Sequence, residues 1–101
     1  MAANELEIVV KERAAVSMAE IMIYISKEGN PERAYKLYEN FYAFIQTLND
    51  FPNKYPVCRK PSFFKQNYRC AIFKKNYIFI YKTFKTKIVI YNVIHSSRYV
   101  F

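Results

Sequence analysis

The chain of 101 residues fits a single domain spanning residues 1–101, since domains of about 100 to 150 residues are the commonest. Hydrophobic residues make up 52% and aromatic residues 19% of the chain, which excludes an intrinsically disordered protein. The apolar runs at residues 21–25 and 88–91 are too short to cross a bilayer, and the charges within residues 1–13 exclude a secretory signal. We therefore expect a soluble, cytoplasmic protein with no membrane partner.

The charges are unevenly distributed around a net charge of +8. All eight acidic residues fall in residues 1–50, whereas residues 51–101 contain basic residues and no acid. A surface of one sign attracts polyanions such as nucleic acid or an acidic protein segment. We expect an anionic partner to dock on the second half of the chain, the alternative being a solvated face that only maintains solubility.

The first two predicted elements are a strand and a helix. Leu6, Ile8 and Val10 occupy alternate positions, as in a half-buried strand. Apolar residues then recur at helical spacing, at Ala14, Met18, Ile21, Met22 and Ile25. Gly29, the only glycine, is expected to end this helix because glycine tolerates the left-handed conformation found just past a helix C-terminus.

A second helix is predicted immediately after Gly29. Asn30 provides a cap and Pro31 fits the first helical turn. The apolar positions of this helix are Ala34, Leu37, Tyr38, Phe41, Ile45 and Leu48. The helix is expected to end near residues 49–50, and its short link to the first helix predicts an antiparallel hairpin.

The rest of the chain predicts a loop followed by three strands. Residues 51–65 contain three prolines and are predicted to form an extended loop. The β-prone runs that follow are residues 68–73, 77–84 and 88–94. Their short polar separators predict an antiparallel meander, with the middle run central because it is apolar on both faces. The predicted fold is α+β, with a helical hairpin packed on a mainly antiparallel four-stranded sheet.

The two cysteines, Cys58 and Cys70, form no CxxC pair, and with a single histidine they do not have metal-ligand spacing. Isolated cysteines in a cytosolic chain are usually reduced, so we expect free thiols. We expect no metal site and no cofactor.

The element order, the chain length and several short motifs together resemble the RelE/ParE toxin superfamily of type II toxin–antitoxin systems over residues 5–101. The motifs are Asn30-Pro31 with Ala34, the helix exit from Leu48 to Pro52, Tyr68-Arg69, Tyr77 with Tyr81, and the tail Val93-Ile94-His95-Ser96-Ser97-Arg98. The resemblance implies a growth-inhibiting toxin, associated with plasmid stabilisation, that a cognate antitoxin neutralises by folding over the sheet or the helices.

The two branches of this superfamily differ in their targets. RelE-like members cut messenger RNA on the ribosome without a metal, using several basic residues of the sheet, whereas ParE-like members inhibit DNA gyrase. Arg69 and Arg98 match two of the basic positions, but Ala71 and Ile78 occupy two others and cannot carry charge. The chain is therefore closer to the ParE-like branch, and we expect a gyrase inhibitor that is not an enzyme. The alternatives are a ribosome-dependent mRNA endoribonuclease and an inactive, binding-only member.

The candidate catalytic residues for the nuclease alternative are Arg69, Arg98 and His95, because arginines stabilise charge on phosphate and an imidazole titrates near neutral pH. The candidate residues for binding nucleic acid or another target are Lys65, Lys74, Lys75 and Tyr99. A lone histidine at a strand end is more often a hydrogen-bonding residue, and hairpin lysines are more often solvated.

The tyrosines of the second half interleave with basic residues, a mixture that suits base stacking and phosphate contact. They are Tyr68, Tyr77, Tyr81, Tyr91 and Tyr99. The alternative is that they fill the core of a small sheet, which we expect for Tyr77 and Tyr81.

Overall fold

The computed structural model of the protein describes residues 6–98. The elements in chain order are β1 (Glu7–Val10), α1 (Glu12–Lys27), α2 (Pro31–Thr47), α3 (Pro61–Phe64), β2 (Arg69–Phe73), β3 (Tyr77–Thr83) and β4 (Lys87–His95), followed by one 3₁₀ turn (Ser96–Arg98). This order confirms the predicted strand, two long helices and three strands. The short helix α3 was not predicted.

The four strands form one sheet in the order β1-β4-β3-β2. The two pairs that involve β3 are antiparallel, whereas β1 runs parallel to β4. Parallel neighbours require a long connection, which the helical hairpin and the later strands provide here. The mainly antiparallel sheet and the central place of the middle run are both confirmed, since β3 lies between β2 and β4.

Two capping residues define the helical hairpin. Gly29, just past the end of α1, has a φ of 95°, which a residue with a Cβ adopts at a cost. The side chain of Asn30 accepts a hydrogen bond from the Arg33 N–H at 3.2 Å, and Pro31 begins α2. Both predicted caps are confirmed. Within residues 6–98, none of the helices combines the length and the apolar character that spanning a bilayer requires.

The hairpin packs on one face of the sheet, which we call the covered face. Its buried helix residues are Ala14, Met18, Phe41, Ile45 and Leu48, and its buried sheet residues are Ala71, Phe79, Tyr81, Ile88, Ile90 and Val93. The ring of Phe41 is central, with its centroid 5.1 Å from that of Tyr77 and 5.7 Å from that of Phe79, both edge to face. The core therefore lies between the hairpin and the covered face.

The opposite face of the sheet, which we call the open face, carries Ile72, Ile78, Ile80, Lys82 and Val89 by strand alternation. The helical hairpin does not cover this face. Ile72 is 61% exposed there, whereas Ile78, Ile80 and Val89 are buried.

The predicted extended loop over residues 51–65 is wrong in its last part, because α3 (Pro61–Phe64) forms there. Pro61 occupies the first helical turn, where proline loses no hydrogen bond, so a proline in this segment does not exclude a helix. A helix of one turn is too short to show periodicity in the sequence.

The expectation of free thiols is also wrong, because Cys58 and Cys70 form a disulfide. Val57 pairs with Arg69 in an antiparallel bridge, and the Cys58 N–H donates to the Tyr68 carbonyl at 2.7 Å. The Cys70 N–H donates to the Pro56 carbonyl at 3.2 Å. This added rung beside β2 brings the two cysteine Cα atoms to 5.0 Å, which the spacing in the sequence could not reveal.

Candidate functional site

One end of the sheet brings together Lys74, Lys75 and His95. The two lysines form the turn between β2 and β3, both are exposed, and both have positive φ, of 52° and 66°. His95, the last residue of β4, pairs with Tyr77 at the start of β3. The Ser96 N–H donates to the Asn76 carbonyl at 2.7 Å, which ties the end of β4 to the lysine turn. We call this group the turn end.

The hydrogen bonds of His95 hold its ring in place. Its Nδ1 atom lies 3.1 Å from the Ser97 backbone nitrogen and 2.9 Å from Ser97 Oγ. Since a backbone N–H can only donate, Nδ1 is the acceptor, and the neutral ring carries its proton on Nε2. The ring also contacts Tyr77 edge to face, with centroids 5.6 Å apart. These contacts support a structural role, and a catalytic role for His95 stays a prediction.

Arg69 lies at the other end of the sheet, where it anchors the proline-containing loop. Its Nη1 donates to the Tyr55 carbonyl at 2.6 Å. Arg69 also pairs across β2 and β3 with Tyr81, whose hydroxyl donates to the Pro52 carbonyl at 2.9 Å. Burial raises the pKa of Tyr81 to about 12, and the positive charge of Arg69 opposes part of that rise. The phenol therefore remains neutral and able to donate.

The structure does not bring Arg69 and His95 together. They pair with Tyr81 and Tyr77, which are four positions apart on β3, so the two lie about 13 Å apart along the strand direction. They also belong to strands on opposite sides of β3. No single phosphate can contact both.

The remaining predicted site residues are scattered or not described. Lys65 follows α3 and is exposed. Arg98 ends the 3₁₀ turn beyond β4, which places its backbone at the turn end. Tyr99 lies outside the described residues. Two positions that are basic in RelE-like members are apolar in this chain and lie on different faces of the sheet. Ala71 is buried on the covered face, and Ile78 belongs to the open face.

A groove of about 540 Å³ lies between the open face, α3 and the start of α1, and we call it the open-face groove. Its lining residues are Lys11, Glu12, Arg13, Phe63, Tyr68, Ile80, Tyr91 and Asn92. The sequence had marked Tyr68 and Tyr91 as stacking residues. The contributions of Lys11, Arg13 and Phe63 were missed, because they come from distant parts of the chain that only the fold brings together.

Three aromatic residues that line the groove pack against one another, and Lys82 lies over two of their rings. The ring centroid of Tyr68 lies 5.4 Å from that of Phe63 and 5.1 Å from that of Tyr91, both edge to face. The ammonium of Lys82 lies 4.5 Å from the Tyr68 centroid and 5.7 Å from the Tyr91 centroid, within the range of cation–π attraction. The groove therefore combines aromatic surface with a positioned cation. Among residues 6–98, no three His, Cys, Asp or Glu side chains lie together as metal ligands would.

The family comparison matches nearly the whole described chain. The family model "ParE toxin of type II toxin-antitoxin system, parDE" matches residues 8–99. The chain belongs to the ParE toxin family. This membership confirms both the predicted RelE/ParE superfamily and its ParE-like branch. No curated protein sequence gives a significant match.

A solved structure shares the fold of this ParE-family chain. It is described as "Chromosomal ParDE TA system from P. aeruginosa", with a TM-score of 0.77 and 14% sequence identity. The match covers 92% of this chain and 98% of that one. At this identity the likeness establishes a common fold.

Proposed function

We propose that this ParE-family chain arrests growth in the cytoplasm by inhibiting DNA gyrase, and that a cognate antitoxin neutralises it. The family match over residues 8–99 is the observation that carries the proposal. A contribution to plasmid stabilisation belongs to the same proposal, although the system named for the similar structure is chromosomal.

The positions of the candidate catalytic residues favour gyrase over messenger RNA as the target. General acid–base catalysis needs groups within hydrogen-bond reach of the same reacting atoms, at about 3 Å. Arg69 donates to the Tyr55 carbonyl, on the far side of β3 from His95. Ala71 and Ile78 add no charge. This arrangement supports a toxin that acts by binding.

The outer surface of the helical hairpin supports the antitoxin part of the proposal. Val16, Ile23 and Tyr24 of α1 and Tyr35 of α2 are large apolar side chains that are 46% to 66% exposed. Exposed apolar clusters are typical of protein-binding surfaces, and an amphipathic partner segment would bury them. An acidic region of the same partner would be attracted by residues 51–101, which contain no acid.

The target is tested with purified protein in two assays. In the first, gyrase supercoils a relaxed plasmid with and without the chain; we expect supercoiling to be inhibited. In the second, primer extension follows messenger RNA after induced expression; we expect intact transcripts. Codon-phased cleavage of mRNA with normal supercoiling would show a RelE-like nuclease instead. No growth defect on expression without antitoxin would show an inactive, binding-only member.

Arg98→Ala tests the site assignment. We expect growth arrest to weaken while circular dichroism shows an intact fold, because Arg98 lies at the chain end that the superfamily resemblance implicates. Lys36→Ala, on the exposed surface of α2, is the matched control and should leave arrest unchanged. Full-strength arrest by Arg98→Ala contradicts the assignment.

Neutralisation is tested by co-expressing the small acidic protein expected from the neighbouring open reading frame. We expect growth to recover. Ile23→Asp should keep its toxicity but escape neutralisation, because a charge then faces the partner. Ile72→Asp places the same charge at an exposed isoleucine of the open face, 61% exposed against 49% for Ile23, and is the control. Equal neutralisation of both variants contradicts the hairpin as the docking surface.

A further inference from the structure

We infer that the open-face groove binds single-stranded nucleic acid, with a base against Phe63, Tyr68 and Tyr91 and the flanking phosphates on the cations at its rims. The inference goes beyond gyrase inhibition and does not rest on it. It places a nucleic-acid site on the open face and at the start of α1, distinct from the turn end and from the exposed apolar residues Ile23, Tyr24 and Tyr35 of the hairpin.

The aromatic side of the groove has the composition of a stacking platform. Phe63, Tyr68 and Tyr91 are half-buried and line the groove, so each side chain is held by the fold and exposes part of its surface. The floor at Ile80 is only 3% exposed and is apolar. Bases stack on such rings whatever their sequence, because each base has a π-face. The volume of about 540 Å³ lies in the range of small-ligand sites and suits one nucleotide with its flanking phosphates.

Cations lie both against these rings and in the lining of the groove. The ammonium of Lys82 lies over Tyr68 and Tyr91. Lys11 and Arg13, at the start of α1, line the groove, with Glu12 as the one acid among the lining residues. Lys11 provides no side-chain cap for α1, so the N–H groups of the first turn add partial positive charge there. A single strand in the groove would therefore meet cations at the rings and at the start of α1.

One main-chain donor on the edge of β4 beyond β1 is already taken by a side chain, which counts against a peptide that adds a strand there. Ile80 lies in β3, which is paired on both sides. Beyond Ile90, where β1 ends, the Val93 N–H is taken by Asn92 Oδ1 at 2.9 Å. Ser17 Oγ donates to the same oxygen at 2.8 Å. Because Asn92 Oδ1 already accepts these two hydrogen bonds, the side-chain NH₂ of Asn92 is the group that can donate to the edge of a base.

The experiment measures fluorescence anisotropy of labelled single strands with the full chain. Oligouridylate and oligothymidylate of equal length are the two probes, and a duplex of the same length is a third. We expect both single strands to bind with similar affinity, because both carry a pyrimidine ring that can stack and the same phosphate, and we expect the duplex to bind more weakly. Preference for the duplex would overturn the proposal.

Variants connect the binding to the groove. Tyr91→Leu should weaken binding about tenfold, because a stacking contact is lost. Tyr91→Phe keeps the ring and should bind like the wild type. Tyr24→Leu removes an exposed tyrosine of the hairpin and should leave binding unchanged. Arg13→Ser should lower the slope of log K against log salt concentration by about one, whereas Lys36→Ser should not.

Three further outcomes overturn the inference. The first is wild-type affinity in Tyr91→Leu, confirmed as folded by its thermal unfolding curve. The second is equal weakening by Tyr24→Leu. The third is that polyglutamate of matched charge displaces the oligonucleotides, while Tyr91→Leu changes the affinity for neither ligand. The surface would then be a site for acidic peptides. If Tyr91→Leu fails to fold, Arg13→Ser decides the matter, since a salt slope equal to that of Lys36→Ser overturns the inference.

Discussion

The covered face and the open face of the sheet come from alternate residues of the same strands, yet different parts of the chain pack against them. The covered face is closed by ordinary apolar packing, with Phe41 edge to face against Tyr77 and Phe79. The open face is covered only in part. The segment before β2 packs near it and includes Phe63, which lines the groove. Burial therefore determines the first face, while the second carries the half-buried rings of the open-face groove, which we propose as a binding surface.

Phe41→Ala should have the largest effect on this comparison. Removing a fully buried ring from the covered face is expected to lower the free energy of unfolding by about 3–5 kcal/mol. Phe64→Ala, in α3, removes a ring that is 60% exposed and should change it by less than about 0.5 kcal/mol. Urea denaturation measures both. Similar losses in the two variants would mean that the buried ring of Phe41 contributes no more to stability than an exposed ring does.

Loss of the disulfide should come next. The bond closes a short loop, with a sequence separation of 12, and the chain-entropy relation gives about 3 kcal/mol for a loop of this size. Cys58→Ser combined with Cys70→Ser should lower the free energy of unfolding by about this amount, and a reductant should do the same to the wild type but not to the variant. Equal stability of the oxidised and reduced wild type would exclude the disulfide as a support of the loop.

Tyr81→Phe tests how the same loop is joined to the covered face. The variant loses the hydrogen bond from the phenol to the Pro52 carbonyl, at a cost of about 1–2 kcal/mol at neutral pH. Burial raises the pKa of Tyr81 to about 12, above its ordinary value near 10. The unfolded chain therefore loses this proton first, so this contribution to stability is complete below about pH 10 and falls as the pH rises through about 12.

The check is the free energy of unfolding measured across that alkaline range. Part of the wild-type decrease belongs to other buried tyrosines such as Tyr77, whose pKa burial also raises. Tyr81→Phe should therefore show a smaller decrease than the wild type. The same slope in both proteins would show that the Tyr81 phenol does not contribute to the pH dependence.

Lys75→Gly should have the smallest effect and the opposite sign. Lys75 has a φ of 66°, a conformation that costs a residue with a Cβ about 1 kcal/mol relative to glycine. The variant should be more stable by about that amount in thermal unfolding. Lys85→Gly removes the same charge in the β3–β4 turn, where no positive φ occurs, and should give no gain. An equal gain in thermal stability in both variants would mean that removing a positive charge, and not relieving backbone strain, stabilises the protein.

The sequence predicted those parts of the fold that depend on local pattern and burial. The periodic positions from Ala34 to Leu48 define α2, and Gly29 and Asn30 mark its beginning, because each follows from local backbone preferences. The parts that were missed depend on contacts between distant segments. Cys58 and Cys70 meet because the loop pairs with β2.

The candidate site was predicted less well for the same reason. His95 and Arg69 were chosen from a resemblance along the sequence, but the register of β3 places them at opposite ends of the sheet. Lys74 and Lys75 do lie with His95, because a hairpin turn brings sequence neighbours to one end. The open-face groove combines α1, α3 and β4, and no periodic signal in a single segment could indicate it.

The most direct test of the difference between the two faces is an NMR titration of the ¹⁵N-labelled chain with single-stranded oligonucleotide. The account predicts that the amide shift changes concentrate at Arg13, Tyr68 and Tyr91, around the open-face groove. Amides of the hairpin surface, such as Ile23, should remain unchanged. Shift changes confined to the hairpin or to the turn end at Lys74 would contradict it.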